Sequence, residues 1–229
     1  MSTTALIVGA GNGLSASLAR LFAKQGFSVA LAARQIEKLT QLSSEIGAVS
    51  FAADASKPDQ VEQLFIDVEN KLSAPNVVIY NPSFRVRGPL VALDPGEVAK
   101  TLEITAYGGF LVAQAAAKRL LALGGGAIFF TGASASVKGY PLSAPFAMGK
   151  FALRGLAQSI ARELAPKNIH VAHFVIDGGI RSTIRQDPAD KPDSTLDPDA
   201  IAQTYLNILQ QPRSAWTWEV ELRPWVENF

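Results

Sequence analysis

The chain has 229 residues, 48% of them hydrophobic, and its 21 basic and 20 acidic side chains leave a formal net charge of +1. That length suits one α/β domain with a substantial core, and the charge balance removes the electrostatic case for nucleic acid or an anionic membrane as partner. There is no cysteine, and the two histidines are His170 and His173, which rules out disulfides and thiolate chemistry and argues against a metal site.

Taken in order, short apolar runs alternate with segments of helical period. Ala5–Val8 predicts a strand and Leu14–Gln25 a helix; Ser28–Ala32 and Gln35–Ile46 repeat the pair, as do Val49–Ala53 and Pro58–Leu72. Val77–Tyr80 is then followed by one long helix, Pro95–Leu123, and Ala127–Thr131 by the helix Ala144–Leu164. His170–Ile176, a helix over Ala200–Leu209 and a last strand Trp216–Leu222 complete the series. Gly26, Gly47 and Gly124–Gly126 stand where helices should stop. The strands lack polar alternation, as strands covered on both faces do. Repeated βα units with right-handed crossovers imply a doubly wound parallel sheet with helices on both faces, one domain over residues 1–229. The N-terminus shows no basic stretch followed by a long apolar run. No apolar segment approaches the roughly 20 residues that span a bilayer. A cytoplasmic location is therefore expected.

The first βα junction reads Gly9-Ala10-Gly11-Asn12-Gly13-Leu14-Ser15. Glycines there let the backbone turn tightly and approach a pyrophosphate at the positive end of a helix, so Gly9, Gly11, Asn12, Gly13 and Leu14 are candidates to bind a dinucleotide. Ser15 stands where a third glycine usually permits close helix–strand contact. The second strand ends Ala33-Arg34, with no acid for a ribose hydroxyl but a guanidinium suited to a 2′-phosphate. That favours NADP over NAD, the alternative for Arg34 being a solvated side chain. Asp54, just after the third strand, either meets the adenine edge or caps a loop.

Further residues fall in the order of a known family. The glycine loop, Asp54, Asn81 after the fourth strand, Gly108 and Phe110 in the long helix, Lys150 and Ala161-Arg162-Glu163-Leu164 fall in that order, and Asp177-Gly178 follows where the family has Pro-Gly. Over nearly its whole length the chain resembles the classical short-chain dehydrogenases/reductases. The resemblance implies a Rossmann-type sheet of about seven strands and a nicotinamide cofactor. Asn81, Lys150, Gly178 and Ile180 would lie beside that cofactor, and a homodimer or homotetramer is implied. It also implies a hydride transfer in which a tyrosine, a lysine, a serine and an asparagine manage the proton. Here Phe146 stands at the tyrosine, Ala133 at the serine and Thr105 at the asparagine; Lys150 remains. Phenylalanine has no proton to give.

Tyr140, ten residues before Lys150, is the candidate substitute acid; its alternative is a packing or loop tyrosine. Lys150 and Tyr140 are thus the catalytic candidates, the plain alternative for Lys150 being an exposed helix lysine. Ser134 and Ser143 are nearby hydroxyls that would need an activating neighbour. His173, amid apolar strand residues with no carboxylate in view to orient it, reads as a core group. The three tryptophans of the C-terminal stretch either close the core or anchor a subunit contact. The segment Arg181–Asp199 reads as a mobile loop over the substrate. Its mixed apolar and acidic character points to a small, largely uncharged molecule. Two functions follow: an NADP-dependent oxidoreductase with an altered active site, acting on a small carbonyl or enoyl substrate, or a nucleotide-binding sensor or partner subunit without turnover.

Overall fold

The computed structural model describes residues 3–227, so the outermost residues of the unit read over 1–229 lie outside the described part. Seven strands form one sheet: β1 (Thr4–Val8), β2 (Ser28–Ala33), β3 (Val49–Ala52), β4 (Pro75–Tyr80), β5 (Gly126–Thr131), β6 (Ile169–Ile176) and β7 (Glu219–Leu222). Their spatial order is β3-β2-β1-β4-β5-β6-β7, and every pairing is parallel. The helices are α1 (Leu14–Lys24), α2 (Thr40–Ile46), α3 (Pro58–Lys71), α4 (Pro95–Leu102), α5 (Gly108–Leu123), α6 (Ala144–Leu164) and α7 (Pro198–Leu209).

Each face of the sheet carries its own apolar layer, which is why the strands show no polar alternation. Leu6, Val78 and Phe130 point to the layer of α3, α5 and α6, where Phe65, Val112 and Leu153 are fully buried. Ile7, Ile79 and Phe129 point to that of α1, α2 and α7, with Leu18, Leu42 and Tyr205. Arg119 fastens α5 to α3 by ion pairs to Glu62 at 2.8 Å and Glu69 at 2.7 Å.

The expected single helix over residues 95–123 is interrupted. Glu103–Tyr107 forms a π-helical turn between α4 and α5, and the buried Tyr80 hydroxyl donates to the Ile104 carbonyl inside it. A side chain that captures a helical carbonyl opens the ladder at that point. Gly108 must follow, because a Cβ there would stand 2.5 Å from the same hydroxyl.

Two other expectations change. The predicted helix over residues 35–46 begins later, as a 3₁₀ turn Glu37–Leu39 leading into α2. The segment 181–199 is stapled internally rather than loose. Asp187 accepts from the Thr195 backbone at 2.8 Å, from the Thr195 hydroxyl at 2.6 Å and from the Asp193 backbone at 3.1 Å. Ile180 pairs with Leu196 across its base. No helix among the described residues is long and apolar enough to cross a membrane.

Candidate active site

The strand order reverses between β1 and β4, and the crevice outside the carboxyl ends of the strands opens there, as open α/β sheets place their ligand sites. Two adjoining cavities, of about 770 Å³ and 570 Å³, share Asn81 and Ser83 as a common wall. The first lies over β1–β4 and holds Gly9, Arg34, Lys38, Asp54 and Asn81. The second lies over β4–β6 and holds Tyr140, Phe146, Lys150, Gly178 and Ile180.

In the first cavity the glycine loop is built around one obligatory glycine. Gly9 has φ +79°, and a Cβ on it would stand 2.7 Å from the Pro82 nitrogen. A Cβ on Gly11 or Gly13 would meet nothing within 4 Å, which leaves room beside the start of α1. Gly11, Asn12, Gly13 and Leu14 are not among the residues lining the cavity. Leu14 turns its side chain into the core, so its backbone is what it has to offer. Ser15 acts as a strut: its hydroxyl donates to the Gly9 carbonyl at 3.1 Å and accepts from Asn81 Nδ2 at 2.7 Å, tying the loop to the end of β4. A third glycine could not do this.

Arg34 is joined by Lys38, a second cation that the sequence reading did not single out. Asp54 lines the cavity and closes a turn, its Oδ1 accepting from the Ser56 backbone at 3.0 Å and hydroxyl at 2.8 Å. Partial burial opposes ionisation of this carboxyl, but those hydrogen bonds and the charges of Arg34 and Lys57 hold it below the ordinary aspartate range.

In the second cavity Lys150 is not an exposed helix lysine. It is 2% exposed, and Nζ donates to the Thr131 carbonyl at 2.8 Å. With no carboxylate to offset it, burial pulls its ammonium down to about 8. Thr131 links two helices to β5, because its hydroxyl also shares a hydrogen bond of 2.8 Å with Tyr205 of α7. Phe146 stands one turn before Lys150 on α6, and the Arg85 guanidinium lies over its ring, 5.0 Å from the centroid. Tyr140 is 44% exposed on the cavity wall. Thr105 is buried in the π turn, its hydroxyl 3.5 Å from the Phe84 nitrogen.

The reading of His173 as a histidine without a carboxylate is corrected. Its Nδ1 lies 3.0 Å from Glu219 of β7 and its Nε2 3.3 Å from the Ser136 hydroxyl, which in turn accepts from the Ala133 backbone at 3.1 Å. The proton on Nδ1 satisfies both ring contacts. Arg154 of α6 holds the same Glu219 with two bonds of 2.6 and 2.7 Å. Burial pushes His173 down to about 4, outweighing the pull of Glu219, so the ring is neutral. The Arg154–Glu219–His173–Ser136 chain fixes the turn after β5 whose Gly132–Ala135 backbone walls the cavity. Ser136 and Tyr205, each fully buried, are not among the cavity's lining residues.

Of the tryptophans, Trp216 stacks on His170 at 4.6 Å and Trp218 lies beneath Arg154, while Trp225 is 70% exposed.

A family model for short chain dehydrogenase matches residues 3–192. A short-chain dehydrogenase from Rhodopseudomonas palustris is 38% identical with a TM-score of 0.84, over 97% of this chain and 99% of that one. A metagenomic short-chain oxidoreductase solved in complex with NADP is 26% identical with a TM-score of 0.83, over 98% of each chain. Carbonyl reductase family member 4 of Xenopus laevis is 24% identical over 220 residues, 93% of either chain. Sheet order, switch-point cleft and family match converge: the chain belongs to the short-chain dehydrogenase family of oxidoreductases.

Proposed function

We propose that the chain is an NADP-dependent oxidoreductase with an altered active site, reducing a small carbonyl or enoyl compound. One observation carries the reading: the cleft across the switch point has at its nucleotide end two cations, Arg34 and Lys38, that form no ion pair or side-chain hydrogen bond among the described residues, and a buried lysine at its other end. The cleft fits the cofactor by its own chemistry. Open space beside Gly11 and Gly13 admits a pyrophosphate, Arg34 and Lys38 suit a 2′-phosphate, and Asn81, Gly178 and Ile180 border the inner half. When bound, the reduced nicotinamide supplies the hydride. Lys150 would hold the cofactor's inner ribose, and at its lowered pKa its Nζ is a stronger acid than an ordinary lysine. Tyr140 is the second proton donor on the cavity wall. Phe146, Ala133 and Thr105, at the positions of tyrosine, serine and asparagine, make the altered chemistry part of the proposal.

The same substitutions favour a second reading, a nucleotide-binding sensor or partner subunit without turnover. NADPH oxidation measured over a panel of aldehydes, ketones and enoyl thioesters separates the two. Turnover that drops at least about tenfold in Lys150→Met or Tyr140→Phe supports the enzyme. NADPH binding with no oxidation by any member of the panel supports the sensor. We also propose a homodimer or homotetramer through the outer faces of α5 and α6, where Phe110, Leu121, Met148 and Phe151 are exposed.

A further inference from the structure

The chain has eleven arginines, at 20, 34, 85, 87, 119, 154, 162, 181, 185, 213 and 223. Arg20, Arg119, Arg154, Arg181 and Arg223 hold carboxylates, and Arg162 and Arg213 bond to carbonyls. Among the described residues the remaining four, Arg34, Arg85, Arg87 and Arg185, form no ion pair or hydrogen bond through their side chains, and all four line the two cavities. Arg34 belongs to the nucleotide end. The other three and Lys150 line the second cavity from three different segments: Arg85 and Arg87 from the stretch after β4, Lys150 from α6, and Arg185 from the loop after β6.

Carboxylates do not balance them. Asp177, on the same wall, is held by Lys138 at 3.3 Å and Arg223 at 3.4 Å. Glu227 is the other acid there. The acidic loop 181–199, which as sequence pointed to an uncharged substrate, keeps two of its acids to itself: Asp187 and Asp197 both pair with Arg181. What that loop delivers to the cavity is Arg185. Like charges that line one cavity repel, and an anion between them removes the repulsion while gaining charge-assisted hydrogen bonds. Phe146 then has a use of its own. A guanidinium seated on a phenyl face keeps its edge N–H groups free for a ligand.

We propose that the substrate bears an oxyanion, a carboxylate or a phosphate, clamped by Arg85, Arg87 and Arg185, with Phe146 as the seat of Arg85. This rests on the reading of the second cavity as the substrate side of a cofactor cleft.

Isothermal titration of the full chain at low ionic strength tests it with two matched pairs, levulinate against methyl levulinate and dihydroxyacetone phosphate against dihydroxyacetone. At least one anion is expected to bind about tenfold or more tightly than its neutral partner, the scale of a hydrogen bond to a charged group. The preferred pair tells carboxylate from phosphate. Arg85→Ala and Arg185→Ala should each remove most of that preference, and Arg34→Ala should leave it unchanged. No preference in either pair overturns the proposal, as does a preference that survives the triple alanine variant or disappears in Arg34→Ala. NADPH titrated into the same samples keeps the two readings apart. NADPH binding without anion preference sinks the clamp alone, whereas a clamp without NADPH binding sinks the oxidoreductase reading and leaves the anion site.

Discussion

The two halves of the cleft are built by different means. Over β1–β4 the contacts serve to shape the backbone: a left-handed glycine, a turn closed by Ser56 and Asp54, and a serine strut between the loop and Asn81. Over β4–β6 the work falls to side chains brought from distant segments, Lys150 onto Thr131, Arg85 onto Phe146, and His173 between Glu219 and Ser136. Backbone geometry tolerates few changes and so keeps a recognisable pattern. Side-chain chemistry can be exchanged position by position while the fold stays in place.

The comparison can be broken most sharply at Gly9. Gly9→Ala combines a positive φ with a backbone collision against Pro82 and should cost about 3 kcal/mol or more. Gly11→Ala, with open space around it, should cost less than about 1 kcal/mol while weakening NADPH binding. Urea unfolding and nucleotide titration read the pair. Equal stability losses at the two positions would mean that the loop is not built as described.

The His173 chain gives the next largest effect. Its pKa falls from 6.5 to about 4 on folding, so the unfolded chain takes up the proton first. The associated stability is complete above pH 6.5 and is lost as pH falls toward 4, a ceiling of roughly 3 kcal/mol. Glu219, also held below its ordinary range, though against the pull of burial, acts in the same direction. Thermal unfolding of the wild type between pH 7 and pH 4 should therefore be steeper than that of His173→Phe. Parallel curves would remove the histidine from the account.

Lys150 sharpens the contrast from the other side. A buried ammonium with one carbonyl partner is a liability to the fold, and a well-packed apolar replacement is often neutral or stabilising. Lys150→Met should leave the melting temperature of the cofactor-free protein unchanged or higher by a few degrees, while NADPH affinity falls about tenfold or more. A clear loss of stability would make the lysine a structural group.

The same division explains what could be read from the sequence. The alternation of elements, the glycine loop and the approach of Asn81 and Lys150 to one cleft follow from local pattern and family register. The break in the long helix did not, because its cause is the hydroxyl of Tyr80, 24 residues before the carbonyl it captures. Glu219 was invisible as the partner of His173 for a similar reason, being 46 residues away on an edge strand. Ser15 read as a departure because sequence shows the missing glycine and not the two hydrogen bonds made in its place. Lys38 lies four residues after Arg34, and a second cation that near the first is a signal that could have found it.

The central claim is that the nucleotide half is a working NADP site although the other half has changed its chemistry. Fluorescence and calorimetric titration with NADPH and NADH, on the wild type and Arg34→Ala, tests it most directly. The account predicts that NADPH binds at least about tenfold more tightly than NADH, and that Arg34→Ala removes most of the difference. Equal affinity for the two nucleotides, or binding of neither, would contradict it.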